Sequence, residues 1–345
     1  MIVVMNIGAS EGQIETVISE LNEYGFDVHR SSGSERSVLG AVGVKPEFDL
    51  RHLQLLDGVS EVYRVTDPYK FASRAWKQDS TEVKVGNETV GSHRVVLMAG
   101  PCSVESEEQI QLCAKMVSEC GGTILRGGAF KPRSAPHSFQ GLTEPELVMM
   151  RDAAEAHGLA VVTEIIEPGK TELLARYTDM LQIGARNMQN YPLLKAVGQS
   201  GLPVILERGM SATIEEWLMS AEYILAENNP NVILCERGTR TFKTSTRNTL
   251  DISAVPVVKS KSHLPVIVDP GNGVGPRNEE LSMARAAIAA GADGLLIEVQ
   301  AAPDRAPSDG SQLPMFDQLT EMMGQIRMIA AAVGRVVTDP AVETG

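Results

Sequence analysis

The apolar positions of this chain fall into two rhythms. In the first, Ile2–Ile7 is an apolar-rich run of strand length. Ser10 then precedes a stretch through Tyr24 in which Ile14, Val17, Ile18 and Leu21 share one helical face. That spacing predicts a helix, with the Ser10 hydroxyl as its cap. Asp27–Arg30 and Ser37–Val44 read as strands around a Ser/Gly turn, Glu47–Leu56 as a short helix and Val59–Val65 as a closing strand. The order βαββαβ is the split pattern of a ferredoxin-like α+β domain, here spanning residues 1–66. Asp67–Gln78 reads as a linker, and Glu82–Val90 as a hairpin turning at Gly86-Asn87, so residues 67–92 separate the two rhythms.

The second rhythm is a strict alternation. Apolar strands are predicted at Val95–Ala99, Thr123–Leu125, Ala160–Thr163, Met180–Ile183, Val204–Leu206, Val232–Cys235, Val266–Val268 and Gly294–Ile297. Amphipathic helical stretches separate them, among them Glu105–Glu119, Glu144–His157, Thr213–Glu227, Glu279–Ala290 and Phe316–Ala332. Short apolar strands joined by helices belong to a parallel sheet covered on its outer face. Eight such units in about 250 residues predict a closed (β/α)8 TIM barrel over residues 93–338. A doubly wound open sheet is the alternative, and eight strands count against it.

Composition narrows the class. The chain has 345 residues, room for a large domain beside a small one. With 31 basic and 44 acidic residues its net charge is −13, which argues against nucleic acid as a partner, since a polyanion needs a basic face. No apolar run reaches membrane-spanning length, and the first residues lack the basic start of a secretory leader. Cysteines at 102, 113, 120 and 235 make no disulfide framework. These features predict a cytoplasmic protein without a membrane partner.

The candidate chemistry lies where the strands end, because the C-terminal strand ends of a barrel share one rim. Arg126-Gly-Gly-Ala-Phe-Lys-Pro-Arg133 places three cations, two glycines and a proline within eight residues. Such a loop suits a phosphate ester, and a solvated basic loop is the alternative. Other strands contribute Cys102, Glu164, Ala185-Arg186, Glu207-Arg208, Glu236-Arg237, Asp269 with Asn272, and Glu298 with Gln300. Five arginines and a lysine converging on one mouth call for a phosphate plus a carboxylate, or two phosphates. On the same rim Cys102, Glu298 and Asp309 are of types that ligate a borderline divalent metal, although Cys102 is equally suited to packing.

These runs resemble the 3-deoxy-D-arabino-heptulosonate 7-phosphate (DAHP) synthase family. The resemblance is carried by Ala99-Gly-Pro-Cys-Ser103, Gly127–Gly141, Gln182-Ile-Gly-Ala-Arg-Asn187, Leu234-Cys-Glu-Arg-Gly238, Thr246–Pro256 and Ser262-His-Leu-Pro265. It extends over essentially the whole chain, including the leading domain found in one bacterial subgroup. It implies condensation of phosphoenolpyruvate (PEP) with erythrose 4-phosphate. By that resemblance Arg126, Lys131, Arg186 and Arg237 hold PEP with the Ala185 N–H, Lys131 and Arg126 being closest to the chemistry. Pro132, Arg133 and Ser134 take the aldose phosphate, and Glu207 and Arg208 stand at a further PEP-contacting position. Cys102, Glu298 and Asp309 match three of four ligands to manganese, iron, zinc or cobalt. A homotetramer is implied, with a tyrosine or phenylalanine effector on the small domain.

Two residues depart from the family pattern. Asn272 stands where the fourth metal ligand is a histidine, and an amide oxygen is the poorer donor for such ions. Glu207 stands where a lysine touches PEP. A unit charge pair at about 4 Å and an effective dielectric of about 20 is worth roughly 4 kcal/mol before screening. The reversal should therefore weaken PEP unless Glu207 pairs with a neighbouring arginine. Gln300 also replaces a histidine. Three readings stay open: a working DAHP synthase, a divergent paralogue acting on another substrate, or a non-catalytic binder of phosphate ligands. The remaining groups read as bland. His29, His52, His137 and His157 are expected at the surface, Cys113, Cys120 and Cys235 in packing roles, and His263 at the end of the barrel opposite the rim.

Overall fold

The computed structural model describes residues 1–32, 36–43, 48–64, 68–128, 144–275, 277–299 and 316–338. The chain divides into two compact units, Met1–Ser80 with Ser260–His263 and Thr81–Lys259 with Leu264–Gly345.

The first unit runs β1 (Ile2–Met5), α1 (Glu11–Glu23), β2 (Asp27–Ser32), β3 (Ser37–Val42), α2 (Leu50–Gln54) and β4 (Val59–Tyr63). Its sheet has the order β2-β3-β1-β4, with every neighbouring pair antiparallel, as the ferredoxin-like pattern requires. Helix α1 opens with a full capping box. The Ser10 hydroxyl accepts from the Gln13 N–H while the Gln13 side chain accepts from the Ser10 N–H. Strand β1 is apolar throughout because both faces are covered. Met1, Val3 and Met5 face the helices in one cluster with Ile14, Val17, Leu21 and Leu53. On the other face, a Cβ added to Gly40 would run into the Trp76 ring. The stretch read as a linker therefore contributes core: Tyr69, Phe71 and Trp76 are buried within this unit. Helix α2 begins only after Asp49, whose carboxylate accepts from the Arg51 N–H, so it is shorter than expected.

The second unit opens with the hairpin β5 (Val83–Val85) and β6 (Glu88–Val90). The barrel follows: β7 (Arg94–Gly100), α3 (Glu107–Glu119), β8 (Ile124–Arg126), α4 (Glu144–Ala156), β9 (Ala160–Glu164), α5 (Thr171–Ala175), β10 (Met180–Ile183) and α6 (Tyr191–Gln199). It continues with β11 (Val204–Glu207), α7 (Ile214–Leu225), β12 (Val232–Glu236), α8 (Ala254–Lys261), β13 (Val266–Val268), α9 (Pro270–Val274), α10 (Arg277–Ala289) and β14 (Gly294–Glu298). The last elements are α11 (Phe316–Ala332) and β15 (Val336–Val337). Strands β7 to β14 pair in parallel in sequence order, and β14 pairs back onto β7, which closes the barrel. The predicted fold class, a (β/α)8 barrel with a small ferredoxin-like domain, is the observed one.

The barrel interior is a cluster of alternate strand residues, including Val96, Met98, Ile124, Val162, Met180, Ile205, Ile233, Cys235, Ile267 and Leu296. Val83, Val85 and Val90 of the hairpin join that cluster. A Cβ on Gly86 would come within 3.0 Å of Ala160, the first residue of β9, so the hairpin plugs the N-terminal end of the barrel. The same end is tied by Asp293, which accepts from Lys259 Nζ at 2.7 Å, Arg335 Nη2 at 2.9 Å and the Val266 N–H at 2.8 Å. Among the described residues no helix is long and apolar enough to cross a membrane.

Several strands run further than their apolar residues suggested. Arg126, Glu164, Glu207, Glu236 and Glu298 are the last residues of β8, β9, β11, β12 and β14. The backbone ladder continues through a polar residue because a strand end at a barrel rim needs no apolar side chain.

Candidate functional site

Side chains alternate across a strand, so the inward set can be counted from the core toward the rim. Ile124 is inside, which puts Arg126 inside; Val162 leads to Glu164, and Met180 to Gln182. Likewise Ile205 leads to Glu207, Cys235 to Arg237 and Leu296 to Glu298. All six of those polar residues line one cavity of about 370 Å³. Cys102, Ala185, Arg186, Met210, Arg247 and Asn272 complete most of its wall. Among the described residues four arginines and three glutamates line it.

Two glycines make the close approaches possible. Gly100 has φ +151°, and a Cβ there would collide with the Arg126 carbonyl. A Cβ on Gly184 would strike the Glu164 carboxylate.

Glu207 is engaged by several groups of the cavity wall. Its side chain is 8% exposed. Gln182 Nε2 donates to its Oε1 at 2.5 Å, and the Ala185 N–H donates to its Oε2 at 2.9 Å. Arg237 Nε lies 3.6 Å from the same Oε2 and makes no hydrogen bond. Arg237 Nη1 donates to the Met210 sulfur at 2.9 Å, a weak acceptor. Arg126 donates to the Pro101 carbonyl at 3.2 Å and stands 3.6 Å from Glu298. Thus Arg126 and Arg237 each face a carboxylate at a distance longer than a hydrogen bond.

Beneath the cavity, Asp269 caps α9. It accepts from the Asn272 N–H at 2.8 Å and from Asn272 Nδ2 at 2.9 Å. Burial raises the pKa of Asp269, with Arg237 acting in the opposite sense. Asn248 Nδ2 donates to the Asn272 carbonyl at 2.7 Å. Burial also pushes the Cys235 thiol well above its ordinary value, which makes it an inert core residue.

The structure separates residues that the sequence reading grouped. Arg208 does not line the cavity. It follows inward Glu207, so it turns outward, as does Glu236 before Arg237. Arg208 Nη1 donates to Glu236 at 2.8 Å and Asp251 at 3.0 Å, and its Nε donates to the Ala212 carbonyl at 2.9 Å. Burial holds the Glu236 carboxyl above its usual range even though Arg208 opposes the shift. The Ala185 N–H, expected on the ligand, is given to Glu207 instead. Lys131, Pro132, Arg133, Ser134, His137, Gln300 and Asp309 lie outside the described residues. Three wall residues were not singled out from sequence. Gln182 was available from strand parity. Met210 and Arg247 were not, because loops place them. The Arg247 N–H donates to the Val274 carbonyl beside a bridge between Thr239 and Thr249.

As a metal site, the described wall offers the Cys102 thiol, the Glu298 carboxylate beside Arg126, and an amide at Asn272 whose nitrogen is directed to Asp269. Among the described residues no three of histidine, cysteine, aspartate and glutamate gather as a metal-binding group. These donors do not by themselves fit a borderline divalent ion, which prefers imidazole to amide.

Comparison with known proteins agrees with this architecture. A family model described as DAHP synthetase I family matches residues 76–331, and one described as DAHP synthase ferredoxin-like domain matches residues 1–67. A phospho-2-dehydro-3-deoxyheptonate aldolase of Thermotoga maritima is 44% identical over 334 residues, covering 97% of this chain and 99% of that protein. A 2-dehydro-3-deoxyphosphooctonate aldolase of Syntrophotalea carbinolica is 28% identical, covering 73% of this chain and 96% of that protein. The crystal structure of the DAHP synthase of Thermotoga maritima aligns with a TM-score of 0.78 at 44% identity, covering 97% of this chain and 98% of that one.

Proposed function

Because this chain belongs to the DAHP synthetase I family, we propose that it condenses phosphoenolpyruvate with erythrose 4-phosphate and releases phosphate. The observation that carries this reading is the cavity at the C-terminal rim, where Arg126, Arg186, Arg237 and Arg247 converge. Guanidinium forks bind phosphate and carboxylate in fixed orientation. In the reaction the C3 carbon of PEP forms a bond to the aldehyde carbon of the aldose. Water adds at C2, and the C2–phosphate bond breaks to give inorganic phosphate. The wall residues contribute position and electrostatics, with charge placed before the reactants arrive. By this reading Arg126 and Lys131 stand nearest the reacting carbons, and Arg133 and Ser134 take the aldose phosphate.

The family generally uses a divalent metal. Here Cys102 and Glu298 are in the cavity wall, Asp309 is the third expected donor, and Asn272 replaces the imidazole. The same reading makes the protein a cytoplasmic homotetramer with an aromatic amino acid effector on the small domain.

The test follows PEP loss and phosphate release by the pure protein with erythrose 4-phosphate, with and without Mn²⁺ or a chelator. The expected result is stoichiometric consumption of both substrates. Tight PEP binding without consumption would instead assign another acceptor, the divergent paralogue. No PEP binding at all would end the reading. The chelator arm decides whether turnover depends on an ion. Sedimentation, and calorimetric titration with tyrosine and phenylalanine, test assembly and effector.

A further inference from the structure

We propose that Glu207 is a built-in anion of the ligand cavity and sets its specificity by weakening anion binding at the wall formed by β10, β11 and β12. This rests on the reading of the cavity as a phosphate-ester site. An anionic ligand at this wall would be met by the donors of Gln182, Ala185 and Arg237. In the structure the Glu207 carboxylate stands before all three. It accepts from Gln182 Nε2 and from the Ala185 N–H, and it faces Arg237 Nε at 3.6 Å.

The geometry separates this role from that of an ordinary structural carboxylate. Arg208, one residue later, has its charge met by two carboxylates at 2.8 Å and 3.0 Å, outside the cavity. Among the described residues Arg237 has no carboxylate that close. Its Nε makes no hydrogen bond, and its Nη1 ends on the Met210 sulfur. Glu207 is close enough to cancel much of the Arg237 field within the cavity, yet it does not close a charge-assisted bond to it. It also removes a backbone N–H from the cavity. A ligand oxyanion placed here must displace the carboxylate or lie beside it at a cost of like-charge repulsion. Arg126, Arg186 and Arg247 then supply the remaining attraction. The wall of Glu207 favours a ligand group that carries a hydroxyl or ammonium donor over a second oxyanion.

The test compares wild type with Glu207→Gln, titrating PEP and inorganic phosphate separately by calorimetry. Glutamine keeps the shape and removes the charge. The expected result is a tenfold or greater fall in the PEP dissociation constant, with phosphate shifting in the same direction, and a smaller gain at high salt. Glu207→Met is measured alongside, so that poor folding of one variant leaves the other to decide. Unchanged or weaker PEP binding in the folded variants, with wild type binding normally, overturns this inference and leaves the proposed function standing. Binding by neither wild type nor variants removes the phosphate-ester reading and this inference with it. Binding by the variants alone supports the inference in its strongest form.

Discussion

Two faces of the same pair of strands treat the same charges differently. On the outer face of β11 and β12, Arg208, Glu236 and Asp251 form a closed set: the guanidinium has two carboxylates and a carbonyl within 3.0 Å. On the inner face, Arg237 lies 3.6 Å from Glu207, with one nitrogen unbonded and another on a sulfur. The outer set is satisfied by folding itself. The inner pair is not closed in this way. Both sets join arginine to glutamate, so neighbour geometry rather than residue type distinguishes the two arginines.

Four predictions test this contrast. Arg208→Ala should cost about 3–5 kcal/mol in urea unfolding, because it strands the fully buried Glu236 without its counter-charge. PEP affinity should hold in that variant. A loss of affinity with intact stability would reverse the assignment of the two faces.

His263 probes the same rule for a group buried as a neutral species. It is 4% exposed, pairs with the Phe71 carbonyl at 2.7 Å, and burial lowers its pKa from 6.5 to about 4. Above pH 6.5 neither folded nor unfolded protein carries the proton. Between 6.5 and 4 the unfolded chain binds it and the folded protein does not, so stability falls as pH drops through that window. The full penalty is about 3 kcal/mol and is reached below pH 4. Unfolding free energies of wild type and His263→Asn, taken at several pH values, should diverge in slope within that window. Parallel curves would show that His263 is not the group responsible.

Arg237→Ala should behave in the opposite way to Arg208→Ala. Its effect is expected on PEP binding, roughly 1.5–3 kcal/mol or a ten- to hundredfold loss, with little change in unfolding free energy. The smallest effect is expected at Thr213. Its hydroxyl and the Glu216 carboxylate form the capping box of α7, directly after the Ala212 carbonyl that Arg208 holds. Thr213→Ala should lower stability by about 1 kcal/mol and leave PEP binding alone. A larger loss would mean that the cap also positions Arg208.

Much of the fold was legible because it is local. The apolar runs gave every barrel strand, and the capping residue Ser10 marked a helix start. The linker reading missed the burial of Tyr69, Phe71 and Trp76, since no periodicity marks a segment that packs without regular structure. The candidate site was legible as a set of strand ends. Arg208 and Glu236 were grouped with the ligand residues because adjacency in sequence was not yet divided by parity. Arg247 was missed because a loop, not a strand, brings it to the wall.

The linear order of residues was enough for the eight barrel strands and their succession, the two-unit organisation and most of the charged residues at the rim. Those follow from hydrophobic periodicity and turn chemistry, which act over a few residues. Which charges meet was settled by folding. It placed Glu207 on Ala185 and toward Arg237, turned Arg208 outward to Glu236, and drew Asn272 onto Asp269. The reason is that Coulomb energy and hydrogen bonding depend on separations of a few ångströms between residues far apart in the chain. Closure of the barrel sets those separations, and the linear order does not record them.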